Sequence, residues 1–292
     1  MFKSELKLYM KSKWNLIIAI LLSIPIVISY VSTFQERNEW SKQLVNPSAD
    51  LNIQKVEQIV DGYSGISYLF NFFFSSDYLI IFILLAIISF SCMFGAQLLK
   101  HKNNGFGNMI ITRCNYSTYL CSMIKVQSVY VGVFLALYFI LIILLTGILF
   151  PFKFGSFITC NFPLYSYSAL ECLKCMVPQC ILVILLVLNI SVFTSLSDLF
   201  VNNKYMIYSV PLVLYFVPFI LASTIGNISD SFGKIVSKLV VDNNVLAIYL
   251  HRVANTTITN LILDYLCLPL ALIIVNMLMY IFNRHRFKER YM

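Results

Sequence analysis

Charged side chains are scarce in this 292-residue chain: Asp, Glu, Lys and Arg make up only 12% of it, where soluble domains carry about 25%. Apolar residues supply 59% of the sequence, and the mean hydropathy is +0.81. A water-soluble core cannot hide that much apolar surface, so lipid must solvate most of it. Acids are rarer than bases, which leaves a formal net charge of +8. The bases form no long run and no groove with interleaved aromatics, which excludes a nucleic-acid partner.

Catalytic signatures are missing too. No stretch fits G-x-x-x-x-G-K-[ST]; Gly226 and Gly233-Lys234 have the wrong spacing and no hydroxyl after the lysine. The chain therefore has no phosphate cradle of its own. Neither H-E-x-x-H nor G-x-S-x-G occurs, and the three histidines, His101, His251 and His285, are scattered. No repeat of 20–50 residues recurs, which excludes a solenoid.

Six apolar stretches are long enough to cross a bilayer: Trp14–Phe34, Tyr78–Leu98, Val126–Phe150, Met176–Leu199, Met206–Gly226 and Ile262–Asn283. Each approaches or exceeds the roughly 20 residues that a hydrocarbon core about 30 Å thick requires. The first is too long for a signal-peptide core and lacks a small-residue cleavage site, so it reads as a retained span. The expected fold is all-α: one polytopic membrane domain over residues 1–292. The fourth and fifth spans pair as a hairpin across Phe200–Tyr205.

Basic residues set the orientation. The N-terminus, the second and fourth loops and the C-terminus hold 13 of them, against 8 for the other loops. That excess places both termini in the cytoplasm. A high content of Ile, Asn, Lys, Phe and Tyr points to an AT-rich bacterial genome, and so to a bacterial plasma membrane.

Residues 1–13 read as an amphipathic helix lying on the inner leaflet. Phe2, Leu6, Tyr9 and Met10 share one face, and Lys3, Lys7 and Lys11 line another. Two aromatic runs, Tyr68–Phe74 and Phe150–Tyr167, read as interfacial belts at the outer surface. Cys160, Cys172, Cys175 and Cys180 fall on that side and read as small apolar residues, since no histidine accompanies them. No charge lies near the middle of any span; Asp77, Asp198 and Asp264 sit at span ends. Asn189, Asn276, Ser89 and Ser91 are polar but cannot relay protons, which argues against a proton-driven carrier.

The loop Leu99–Gln127 is almost free of acids. Gly105-Phe106-Gly107 with Asn108 breaks the helix leaving the second span, Met109–Thr112 is mostly apolar, and Arg113 follows. Asn115 or Ser117 is placed to cap a helix running through Tyr119 and Lys125 into the third span. Such a knob facing the cytosol gives a partner something to push.

This arrangement resembles the permease subunits of ABC transporters of the second, exporter type. The likeness rests on six spans, an N-terminal "elbow" helix, and a 99–125 loop with Gly105, Gly107, Met109–Ile111, Thr112-Arg113, Tyr119 and Lys125 in the family's order. The hairpin tip Asn203-Lys204, with Pro211 after it, adds to it. Many relatives carry a glutamate before the loop glycine; here Lys100, His101 and Lys102 stand there, so contact would run through the shape of the turn and Arg113.

The resemblance implies a non-catalytic membrane subunit. Two copies of a separate ABC ATPase would hold ATP and Mg, and this chain would bind no cofactor. A second permease, identical or homologous, would complete the transporter within membrane lipid. Coupling would fall to Gly105, Phe106, Gly107, Asn108, Thr112, Arg113, Tyr119 and Lys125, with Asn203 and Lys204 as a further cytoplasmic contact. Uncharged spans suit a hydrophobic or amphipathic cargo, either a peptide such as a bacteriocin, exported or expelled for self-protection, or a lipid-like molecule. The competing expectation is a non-transport scaffold or sensor accessory that binds through Gln35–Asp77.

Overall fold

A computed structural model describes residues 6–7, 9–45, 53–74, 76–95, 116–153, 156–159, 162–197, 203, 205–213, 270 and 272–284. The helices are α1 (Trp14–Val45), α2 (Ile53–Gly62), α3 (Gly65–Phe74), α4 (Ser76–Phe94), α5 (Tyr116–Leu149) and α6 (Ala169–Ser197). Helical turns follow at 205–213 (α7) and at Leu272–Arg284 (α8). Strands β1 (Ser156–Thr159) and β2 (Phe162–Ser168) lie between α5 and α6.

Among the described residues three helices are long and apolar enough to cross a membrane: Trp14–Val45, Ser117–Leu149 and Met176–Ser197. The bent pair Gly65–Phe73 and Tyr78–Phe94 qualifies as a fourth if taken as one span. These helices mark the chain as membrane-embedded. Their surfaces agree with that. On α1, Ile18, Leu22, Pro25, Ile26, Ser29 and Thr33 form one buried stripe, while Leu16, Ile20, Val27 and Val31 are exposed. On α5, Leu137, Leu144, Ile148 and Leu149 are exposed as well. Each such side chain left in water would forgo roughly 1.5–3 kcal/mol, which hydrocarbon removes.

The first span was expected to end at Phe34, yet α1 continues to Val45. Polar residues such as Gln35, Glu36 and Arg37 do not break a helix; they only end its fit to lipid. The second span was placed at Tyr78–Leu98, where α4 occupies Ser76–Phe94. Of the fifth and sixth expected spans, 214–226 and 262–269 lie outside the described residues.

Side-chain contacts give the directions. Tyr9 meets Phe94 and Tyr130, and the end of the bundle holding residues 6–13 is called the near end. Phe150 and the start of α3 mark the far end. Helices α1 and α5 run from near to far, and α4 and α6 return. Close packing joins α1 to α4, α4 to α6, and α6 to α5. Between α5 and α1 the ring closes differently, through hydrogen bonds of long side chains. Tyr130 donates to Asn15, Ser23 meets Tyr138 at 2.8 Å, and Tyr30 meets Thr146. The rungs recur every seven or eight residues on both helices, about two turns, so all fall on facing stripes.

Helix α3 fills the far end of this ring. It packs against α1, α4, α5 and α6, and every residue from Ser64 to Phe73 is buried. The aromatic run Tyr68–Phe74, expected to rest on the membrane surface, is therefore interior over its described side chains. Phe72 meets Phe82 edge-on, Phe73 meets Phe139, and Tyr68 stacks on Phe150 with centroids 4.0 Å apart. The reason is a bend of 64° between Gly65–Phe73 and Tyr78–Phe94, which folds the segment back onto the bundle. Asn71 satisfies its amide inside by donating to Thr33 Oγ1 at 2.7 Å.

The fold is all-helical as expected, with one short hairpin added between α5 and α6. Strands β1 and β2 pair antiparallel, Ser156 opposite Ser168 and Phe157 opposite Tyr167, with a register shift between Ile158 and Thr159. The second aromatic run alternates apolar and small polar residues, Tyr165-Ser166-Tyr167-Ser168. That period of two, with high β-propensity, favours a hairpin over a helix.

The N-terminal segment is helical at residues 6–7 and 9–10 and breaks before α1. Leu6 and Tyr9 pack on the main core, whereas Met10, expected on the same face, is exposed. Ser12 Oγ accepts from the Trp14 amide at 3.3 Å and caps α1. Asn15 holds the corner: its Nδ2 donates to the carbonyls of Tyr9 (3.1 Å) and Met10 (2.8 Å), while its Oδ1 accepts from Tyr130.

Two stability predictions follow from these contacts. A Cβ on Gly65 would lie 2.5 Å from the Phe150 carbonyl oxygen and 2.7 Å from the Phe152 ring. Gly65→Ala should cost about 1–3 kcal/mol in unfolding experiments. Gly147→Ala, which pushes only on the Phe152 ring at 2.9 Å, should be close to neutral; the opposite ranking would refute the packing. Asn15→Leu should free residues 6–12 and speed tryptic cleavage after Lys11 and Lys13 about tenfold. Unchanged cleavage would show that Asn15 does not hold the corner.

Candidate functional site

The near ends of α4, α5, α6 and α8 meet through neutral polar groups. Hydrocarbon offers no partner to such groups, so each must find one within the protein. Helix α6 is the hub. Gln127 of α5 donates from Nε2 to Ser191 Oγ at 2.7 Å and accepts at Oε1 from Ser195 at 3.0 Å. Ser91 of α4 meets Thr194 at 3.4 Å. From α8, Asn276 Nδ2 donates to the Asn189 carbonyl (3.0 Å) and to Asn189 Oδ1 (3.2 Å), and Asn283 Nδ2 donates to the Leu196 carbonyl (3.2 Å). Tyr119, Leu120 and Met123 of α5 bury themselves against Val192 and Leu196 to form a second, smaller core.

Beside this hub lies a cleft of about 460 Å³ between α5, α6 and α8. Ile124, Leu188, Val192, Ile273 and Met277 make its walls apolar, while Lys125, Asn189 and Asn276 bring polar groups into it. Among the described residues no group of three or more His, Cys, Asp or Glu side chains could hold a metal ion. Cys92, Cys121 and Cys180 are free thiols; the described residues give no side-chain account of Cys160, Cys172 or Cys175.

Most of the expected coupling residues, Gly105, Phe106, Gly107, Asn108, Thr112 and Arg113, lie outside the described residues, as does Lys204. Tyr119 and Lys125 sit on the first turns of α5 with different surroundings. Tyr119 is buried in the small core, and Lys125 is exposed at the cleft. Asn203 is exposed, and its Oδ1 accepts from the Tyr205 amide at 3.0 Å, which makes it the cap of α7. Its side-chain oxygen is thus engaged in the hairpin tip itself.

Sequence reasoning passed over Gln127, which lies at the loop boundary, and treated Asn189 and Asn276 only as groups that cannot carry protons. Their signal was rarity: an amide inside a long apolar run needs a partner, and the two amides partner each other. No protein-family model, curated protein or solved structure matches the chain.

The Gln127 contacts carry a measurable energy. Gln127→Leu should lower stability by about 1 kcal/mol, with a Gln127–Ser191 coupling of roughly 0.6–1.7 kcal/mol in a double-mutant cycle. Strict additivity of Gln127→Leu and Ser191→Ala would show that the bond contributes nothing.

Proposed function

We propose that the chain is the membrane-spanning permease subunit of an ATP-driven exporter of the second ABC type. In this reading it crosses a bacterial plasma membrane six times with both termini cytoplasmic. It works with two copies of a separate ATPase and a second permease, and moves a hydrophobic or amphipathic peptide or lipid-like cargo. The resemblance around Gly105–Lys125 supplies the class, and one observation of the fold supports it mechanically. In sequence, residues 99–115 lead directly into α5, an unbroken helix of 34 residues, about 50 Å long. Its first turns are locked to α6 through Tyr119, Leu120 and Met123. A force applied to the loop therefore moves α5 and α6 together, and α5 carries it across the membrane.

The source of energy supports the same reading. The sequence holds no nucleotide cradle, and no Asp, Glu, Lys, Arg or His falls between Val126 and Phe150 or between Met176 and Ser197. Power delivered from an ATPase through a cytoplasmic surface needs neither.

An ATPase of the ABC class should co-purify with the chain from its native membrane. Gly105→Trp and Gly107→Trp should drop cargo-stimulated ATP hydrolysis to the basal rate while insertion stays normal. Isolation without any nucleotide-hydrolysing partner, or full stimulation in both variants, would refute the proposal; a scaffold working through Gln35–Asp77 would tolerate both changes.

A further inference from the structure

The cleft between α5, α6 and α8 shares Lys125 with the expected coupling residues, but its walls have a chemistry of another kind. Each helix lines it at helical spacing: Cys121, Lys125 and Ser128 from α5, Val192 from α6, and Ile273 and Met277 from α8. A groove of about 460 Å³ with these walls admits an alkyl chain rather than a hydrated solute.

Lys125 is exposed at the same groove with no ion pair or hydrogen bond among the described residues, and the groove contains no acid to neutralise it. It is also the last charged residue before an uncharged run from Val126 to Phe152, which sets it at the level of the phospholipid headgroups. One cation at headgroup level and an apolar channel below it match the phosphate and acyl chain of one lipid.

We propose that this groove binds a single anionic phospholipid. The phosphate rests on Lys125, and an acyl chain runs along Ile124, Val192, Ile273 and Met277. The site stands independently of the permease reading, because it requires only a bilayer around the helices. A bound lipid would bridge α8 to α5 beyond the few hydrogen bonds that tie α8 in place.

The test uses the full chain in nanodiscs holding equal parts of phosphatidylglycerol and phosphatidylcholine, extracted into mild detergent for native mass spectrometry. Wild type should retain one phosphatidylglycerol per chain, with a preference over phosphatidylcholine of roughly five- to tenfold. Lys125→Gln, at an exposed position, should erase the preference without lowering the unfolding temperature in phosphatidylcholine. Ser128→Trp, which fills the groove from α5, should abolish retention of both lipids. Equal retention of the two lipids by wild type overturns the proposal, and so does an undiminished preference in Lys125→Gln. Two other occupants would also overturn it. Oxidative cross-linking of two chains through Cys121 in phosphatidylglycerol membranes would put a second copy in the groove. Complete protection of Cys121 from maleimide after delipidation would put this chain's own residues there.

Discussion

A polar group dissolved in hydrocarbon has nowhere to turn except to another part of the protein, and that constraint organises this molecule. Lipid tails are as apolar as leucine, so burying leucine does not drive helices together inside a membrane. What joins them is close fit and a small number of interhelical hydrogen bonds. Helix α6 collects most of these near one end: Gln127 of α5 on Ser191 and Ser195, Ser91 of α4 on Thr194, and Asn276 and Asn283 of α8 on Asn189 and Leu196. Among the described residues α6 is the polar meeting point of α4, α5 and α8, with only the Tyr280 hydroxyl on the Ser117 carbonyl joining α8 to α5 directly.

Shape takes over at the far end. The buried faces of α3 are mostly aromatic, and its rings continue a chain of contacts along the bundle. The sequence runs from Tyr9 through Phe94, Tyr130, Phe134, Tyr138 and Phe82 to Phe72. Edge-on and offset ring pairs fix distance and angle more tightly than aliphatic contacts do. Gly65 belongs to the same logic, because only a hydrogen fits between its Cα and the Phe150 carbonyl.

The membrane class and the long helices at Trp14, Val126 and Met176 were legible because hydropathy integrates over 20 residues and one polar substitution cannot hide it. The fate of Tyr68–Phe74 was not. Phe and Tyr suit an interfacial belt and a buried plug equally well, and the choice depends on the bend before Tyr78, a tertiary property. The strands at Ser156–Thr159 and Phe162–Ser168 were missed because loop composition was weighed and its alternation was not. At the site, Lys125 and Tyr119 were picked out together from one loop pattern, yet helical geometry separates them, one to the cleft and one to the core. The amides Asn189 and Asn276 were noticed for the protons they cannot carry. Their bond to each other spans 87 residues of sequence, a separation that local periodicity does not encode.

The seam between α1 and α5 differs from the other sides of the ring. There the backbones do not pack closely, and Asn15–Tyr130, Ser23–Tyr138 and Tyr30–Thr146 reach across. The rings of Tyr30, Tyr130 and Tyr138 are also packed on other rings, so each strut is held at its tip by a hydroxyl and along its side by an aromatic neighbour. Of the four walls, this is the one whose spacing is set by the length of a side chain rather than by backbone contact.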